Sequence, residues 1–279
     1  MFSMPIGLAA TIVLVSLVAE YIDSSIGMGY GTSLAPILLI MGFKPLQIVP
    51  AVLLSELVSG VFAGYLHHRS GNANFSLHKT TFTQVSQKIR ELGVANSVRR
   101  GISLHLRIVV VLVCCSIAGT LAAVLIALSI PSFYLKLYIS GLILIVGLGT
   151  LLTVKSNFPF SWKKISTLGI IAAFNKGISG GGYGPVVTSG QLLAGVDAKN
   201  AIAITSLSEG LTCFLGVVLY FFSSSQVDWS LSPYLLTGAL CSVPISVYTV
   251  KKINCKHLRI IIGVCTTALA AFSLVKAFL

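Results

Sequence analysis

Near its start the chain reads Gly27-Met28-Gly29-Tyr30-Gly31, and past its middle it reads Gly180-Gly181-Gly182-Tyr183-Gly184, in one register 153 residues apart. The same register, without a gap, aligns Leu39 with Leu192, Gly42 with Gly195, and Leu54-Ser55-Glu56 with Leu207-Ser208-Glu209. Matches at such distinctive residue types point to an internal duplication. Later, Leu135-Lys136 aligns with Leu258-Arg259 at an offset of 123, so the first half carries about 30 extra residues, placed in the basic stretch 67–107. The halves are therefore expected at 1–154 and 155–279.

Water is not the solvent for most of this surface: 55% of the 279 residues are hydrophobic and 9% charged, against about a quarter charged in soluble domains. Apolar runs recur along the whole chain, most of them long enough to cross a ~30 Å hydrocarbon core as helices. The first run has no cation before it, since Lys44 is the first in the chain, and is expected to be a retained helix and not a signal peptide. The six cysteines show no metal-ligand spacing and read as small core residues. No metal, other cofactor or catalytic group is implied.

The net charge of +12 would suit nucleic acid if spread over a globular face, but the cations cluster between apolar runs. Arg69, Lys79, Lys88, Arg90, Arg99, Arg100 and Arg107 share one stretch with Glu91, and Lys155, Lys163 and Lys164 form a second group. Such clusters mark cytoplasmic loops and exclude nucleic acid as the natural partner. Phe82, Val85, Ile89 and Leu92 recur at helical spacing, so the long loop is either an amphipathic helix on anionic lipid or a solvated basic segment.

Each half reads as five apolar segments: 4–22, 31–42, 46–66, 108–130 and 135–154, then 164–176, 184–195, 199–222, 231–250 and 257–278. Five is odd, so the second half is expected inverted relative to the first. This all-α membrane fold of about ten transmembrane segments puts Lys251, Lys252 and Lys256 inside with the other clusters, and 223–232 and both chain ends outside. A rival count makes the short second segments re-entrant and the halves parallel, which exports the Lys251 cluster.

Segments 31–42 and 184–195 supply only about 18 Å of helix, and each follows a glycine-rich break. Irregular backbone at membrane depth survives only where it is buried or lines a wet cavity. Glycine permits positive φ and close approach to a ligand, and the N–H groups opening the next half-helix favour an anion. Two such inverted, broken elements point to a transporter's substrate site. The candidate binding residues are Gly27, Gly29, Tyr30 and Gly31 in the first half. Asn175, Lys176, Ser179, Gly180, Gly181, Gly182, Tyr183 and Gly184 are the candidates in the second.

Glu56 and Glu209 lie in apolar helices, where a carboxylate costs about 2.5–3.5 kcal/mol on insertion scales. They read either as proton- or cation-coupling groups or as hydrogen-bonded staples. Asp23 stands at the position equivalent to Lys176 and joins the coupling candidates, while Lys176 alternatively snorkels to an interface. If each glutamate faces its own break, Glu56 is expected to be the one exchanging protons; crossed facing reverses the order. Tyr30 and Tyr183 read as oxyanion donors or as rings packed on glycine.

The glycine-rich stretch Gly27-Met28-Gly29-Tyr30-Gly31, running through Pro36 to Gly42 and the Ser55-Glu56 helix and occurring twice, resembles the TauE/SafE family of membrane permeases. The resemblance implies transport of a small sulfur-containing anion, sulfite or an organosulfonate, across the plasma membrane, with proton coupling as one option. The oligomeric state stays open, a homodimer included. Gly29-Tyr30-Gly31 also resembles a potassium-channel filter, but inverted halves cannot form the ring a filter needs. Gly177-Ile178-Ser179-Gly180 resembles a rhomboid-protease nucleophile motif, yet none of the five histidines is placed mid-membrane to serve as its base. A receptor or structural membrane protein is the remaining alternative.

Overall fold

The computed structural model describes residues 5–76, 102–127, 132–156, 158–179, 183–223 and 228–278. Among these residues the chain forms ten helices and no strand. They are α1 (Ile6–Ile26), α2 (Tyr30–Ile40), α3 (Pro45–Arg69), α4 (Leu104–Ala127), α5 (Ser132–Leu152), α6 (Trp162–Ser179), α7 (Tyr183–Leu193), α8 (Ala198–Ser223), α9 (Ser232–Lys252) and α10 (Cys255–Phe278). Five stretches are long and apolar enough to cross a bilayer: Ile6–Ile26, Gln47–Arg69, Ala198–Phe222, Ser232–Lys252 and Cys255–Phe272. Leu104–Gly119 and Ser140–Leu152 are shorter apolar helices.

Polarity is turned inside out. Ser16, Glu20, Ser24, Ser55, Glu56 and Ser208 are buried, while Leu14, Ile145, Leu152, Phe221 and Phe272 point outward. Hydrocarbon is the solvent that rewards this arrangement, because it accepts apolar side chains and offers polar ones no partner. The bundle is that of a multi-pass membrane protein.

α1 packs mainly on α9, α4 on α6, α3 on α8 and α5 on α10. Exchanging each helix for its equivalent five places along maps this set of pairs onto itself. Glycine opens each crossing. A Cβ on Gly60 would lie 2.6 Å from Ser206 O, one on Gly119 2.9 Å from Ile170 O, and one on Gly147 2.9 Å from Thr267 N, while one on Gly238 would run into Val13 O. Without a hydrophobic drive between helices in lipid, such close backbone approach is the main source of helix association.

Contacts between helix ends define the two ends of the bundle. At one, Gln47 Nε2 donates to Asp228 Oδ2 at 2.7 Å, and Leu8 and Phe43 share a cluster with Leu231. At the other, Lys199 Nζ donates to Lys251 O at 2.6 Å, Arg259 Nη1 to Ser156 O at 3.0 Å, and Ser161 N to Ala194 O at 3.1 Å. Lys155, Lys163, Lys164, Lys251, Lys252 and Lys256 all belong to this second, basic end. The α1–α2 pair starts and finishes at the Asp228 end, and the α6–α7 pair starts and finishes at the basic end.

Two boundaries differ from the sequence expectation. α1 continues past residue 22 to Ile26 because Asp23, Ser24 and Ser25 face the interior, where they find partners and extend the helix. It stops at Gly27, φ +83°, whose N–H returns to Asp23 O at 2.6 Å. α6 likewise runs through Gly177 and Ile178 to Ser179, so the second break is shorter than the glycine run suggested. Gly180, Gly181 and Gly182, and the 82–92 segment of the basic loop, lie outside the described residues.

Candidate functional site

The last turn of α6 carries Lys176 into the middle of the bundle, against the midpoints of α3 and α8. Its ammonium lies 3.0 Å from Glu209 Oε1 and 3.5 Å from Glu56 Oε2, with all three side chains mostly buried. Cys213, one turn beyond Glu209 on α8, stands with its Sγ 3.5 Å from the same ammonium and donates its thiol to Glu56 Oε2 at 3.0 Å. The Tyr183 ring, opening α7, is centred 5.4 Å from Lys176 Nζ, within cation–π range. Lys176 therefore does not snorkel outward; it is the hub that joins α3, α6, α7 and α8.

Both oxygens of Glu56 are occupied, since Gly31 N–H donates to Oε1 at 3.1 Å while Cys213 and Lys176 meet Oε2. Glu209 Oε2 is buried without a hydrogen-bond partner among the described residues. Glu56 faces its own break and also the lysine of the other, a combination that neither sequence alternative anticipated.

The first break meets the opening turns of α7. Thr188 of α7 donates to Gly27 O at 2.7 Å, and Gly184 lies so close that a Cβ there would fall 2.7 Å from Gly27 O and 2.9 Å from Met28 Cα. Gly29, φ +123°, turns the chain into α2. The first N–H groups of α2 do not await a ligand: Tyr30 N–H donates to Asp23 Oδ1 at 3.3 Å, and Gly31 N–H is taken by Glu56. The protein's own carboxylates thus fill the positive end of α2. Asn175 is fully buried beside Lys176, and Ser179 closes α6.

The tyrosine hydroxyls are engaged within the protein. Tyr30 OH lies 2.7 Å from Ser55 Oγ and 3.0 Å from Ser16 Oγ, and Tyr183 OH accepts from Ser116 at 3.4 Å. Both rings are buried.

Sequence reasoning missed Glu20. This residue of α1 is buried, receiving Ser24 Oγ at 2.5 Å on one oxygen and Ser59 Oγ at 3.0 Å on the other. It lies within electrostatic reach of Glu56 and Glu209, as Asp23 does. Four of the seven acids of the chain thereby lie within electrostatic reach of one another, and two of them, Glu56 and Glu209, are paired with Lys176. Glu20 ends an apolar run, where a carboxylate reads as an interface residue. The available signal was the polar stripe Ser16, Glu20, Asp23, Ser24, which follows one helical face. Among the described residues no group of three or more His, Cys, Asp or Glu is placed to hold a metal ion.

An all-helical bundle with apolar flanks, a polar interior and an ion cluster where two interrupted helix pairs meet defines a class, that of the polytopic membrane proteins with a buried polar site. The family model described as Sulfite exporter TauE/SafE matches residues 89–273, well over half of the chain, and the protein belongs to that family. It is also similar to the probable membrane transporter protein YtnM of Bacillus subtilis (strain 168), with 23% identity over 261 residues, covering 89% of this chain and 77% of the relative. No solved structure matches the chain. The protein is a multi-pass membrane transporter.

Proposed function

We propose that the protein is a secondary transporter that carries a small sulfur-containing anion, sulfite or an organosulfonate, across the plasma membrane together with a proton. The observation that supports this most directly is Lys176, a cation held mid-bundle between Glu56 and Glu209 near where the first break meets α7. With both glutamates charged, the lysine is overmatched and offers nothing to an incoming anion. A proton on Glu209 removes one negative charge and one of the two ion pairs, which releases the ammonium toward the anion. Glu209 suits this role because its Oε2 is buried without a partner, and an unpaired charge costs more there than a neutral carboxyl.

The two breaks then divide the labour. The start of α2, its N–H groups filled by Asp23 and Glu56, is closed to the anion; the start of α7, beside Lys176, receives it. Inverted halves are supported by the self-mapping helix pairs and by helix pairs that enter from opposite ends, and the basic end lies in the cytoplasm. Rocking one half against the other opens the site to each side in turn.

A counterflow panel in proteoliposomes tests the reading, with sulfite, sulfate, thiosulfate, alkyl sulfonates and small carboxylates as competing solutes. Sulfite or a sulfonate is expected to drive exchange, accelerated by an imposed proton gradient in the wild-type protein. Exchange by carboxylates alone would refute the sulfur assignment, and no exchange of any solute would refute transport of small anions.

A further inference from the structure

At the basic end, away from the ion cluster, a cavity of about 350 Å³ opens between the end of α5, the α7–α8 connection and the first turn of α10. Lys155, Lys256 and Arg259 line it against the single acid Asp197, so it carries excess positive charge. Arg259 is held in place: Nη1 donates to Ser156 O at 3.0 Å, Nη2 reaches Thr153 Oγ1 at 3.4 Å, and the guanidinium lies 6.0 Å from the centre of the Phe158 ring. Its Nε is buried without a partner among the described residues. The N-terminal turns of two long helices, α8 at Ala198 and α10 at Cys255, also border the space and add partial positive charge.

The surroundings decide which anion fits. Immediately bundle-ward on α5, Leu152 is 85% exposed, and on α10 Ile260 and Val264 are exposed one turn apart. A basic pocket between helices at the cytoplasmic boundary, with an outward apolar wall above it, matches a lipid in both parts: phosphate in the pocket, acyl chains on the wall. A soluble anion would use only the first part.

We infer that this cavity binds the phosphate headgroup of an anionic phospholipid, whose chains lie along Leu152, Ile260 and Val264 and so brace the α5–α10 pair. The site is separate from the transport site and does not depend on what is carried there. Lys155 and Lys256 are exposed, so the double variant Lys155→Gln/Lys256→Gln is expected to fold normally.

The test is native mass spectrometry and thermal unfolding of the full chain in nanodiscs of phosphatidylcholine with or without phosphatidylglycerol, and in detergent with inorganic phosphate. Wild-type protein is expected to retain phosphatidylglycerol and to unfold at a higher temperature in its presence. The double variant is expected to bind it about 30-fold more weakly, from the loss of two juxtamembrane cations. Equal retention by both proteins, or equal unfolding temperatures with and without phosphatidylglycerol, overturns the site. Stabilisation by inorganic phosphate with no response to phosphatidylglycerol overturns the lipid and leaves a soluble anion in its place.

Discussion

Asp23 and Lys176 occupy equivalent positions in the two halves, one turn before each break, and carry opposite charges. Asp23 turns back on its own half and takes the Tyr30 N–H that opens α2. Lys176 instead reaches across to α3 and α8 and ties the halves together. The next equivalent pair diverges in the same sense. Gly31 leaves room for a carboxylate, since a Cβ there would lie 2.8 Å from Glu56 Oε1, whereas Gly184 leaves room for backbone, at 2.7 Å from Gly27 O. On the proposed reading of two duplicated halves, substitution at matched positions made one copy acidic and self-capped and the other basic and shared. A symmetrical site would hold either two acids or two bases; in the proposed mechanism only the divergent pair gives a cation whose availability a proton can govern.

The comparison breaks first at Lys176. Lys176→Gln leaves two buried carboxylates without their counter-charge, a change that costs roughly 3–5 kcal/mol when one partner of a buried ion pair is removed. Transport is expected to fall to background and the unfolding temperature to drop. Lys176→Gln/Glu209→Gln should regain stability, by removing one of the stranded charges, and still fail to transport. If the single variant unfolds like wild type, the ion cluster is not what holds the halves together.

Glycine comes next. Gly184→Ala drives a methyl into the backbone of the first break, an overpacking penalty of roughly 1–3 kcal/mol, because neither chain has room to shift. Gly31→Ala meets only the end of a flexible side chain, so Glu56 can swing away. The expected contrast is a poorly folded Gly184→Ala protein and a well-folded Gly31→Ala protein whose response to a proton gradient has changed. Equal stability in the two would mean that the first break and the start of α7 do not meet as described.

A smaller effect separates the glutamates. Glu209 has an unpartnered buried oxygen and Glu56 has none, so Glu209→Gln is expected to abolish the acceleration by a proton gradient while preserving exchange at zero gradient. Glu56→Gln should disturb α2 and lower the exchange rate itself. Reconstituted exchange with and without an imposed gradient distinguishes them, and the opposite order would move the proton to Glu56.

Much of this was legible in the sequence. The gapless match of Leu54-Ser55-Glu56 with Leu207-Ser208-Glu209 singled out the two glutamates that meet Lys176, and the glycine runs marked where the short helices α2 and α7 begin, because intramembrane carboxylates and glycine runs are rare enough to stand out. The cation clusters marked the end at which Lys155 and Lys251 gather. What stayed hidden depends on facing. Lys176 lies near a helix end, where snorkelling and burial look alike in one dimension, and only the approach of α8 makes it a buried partner. Glu20 was concealed by the same ambiguity at the end of α1. That α2 is capped by Asp23 and Glu56 follows from contacts seven and 25 residues apart that no local pattern encodes.

The subtlest asymmetry concerns the tyrosines that begin α2 and α7. Tyr30 OH sits between two hydroxyls at 2.7 and 3.0 Å, in a buried chain that links α1, α2 and α3 and passes from Ser16 Oγ to Leu235 O at 2.7 Å. Tyr183 OH has a longer contact, 3.4 Å to Ser116, and its ring instead faces Lys176. A neutral hydrogen bond contributes about 0.5–1.5 kcal/mol net, and stranding its buried partners adds to the loss on removal. Tyr30→Phe is therefore expected to lower stability by about 1–2 kcal/mol while leaving the apparent affinity for the transported anion unchanged, since the hydroxyl meets only the protein. Tyr183→Phe should cost less stability, because its contact with Ser116 is long, although Ser208 also meets the hydroxyl, and the ring that faces Lys176 is kept. Thermal unfolding and exchange measured on the same preparations give both quantities. A Tyr30→Phe protein with wild-type stability and weakened anion affinity would show that this hydroxyl turns to the substrate during transport, and the first break would then have to be counted as part of the anion site.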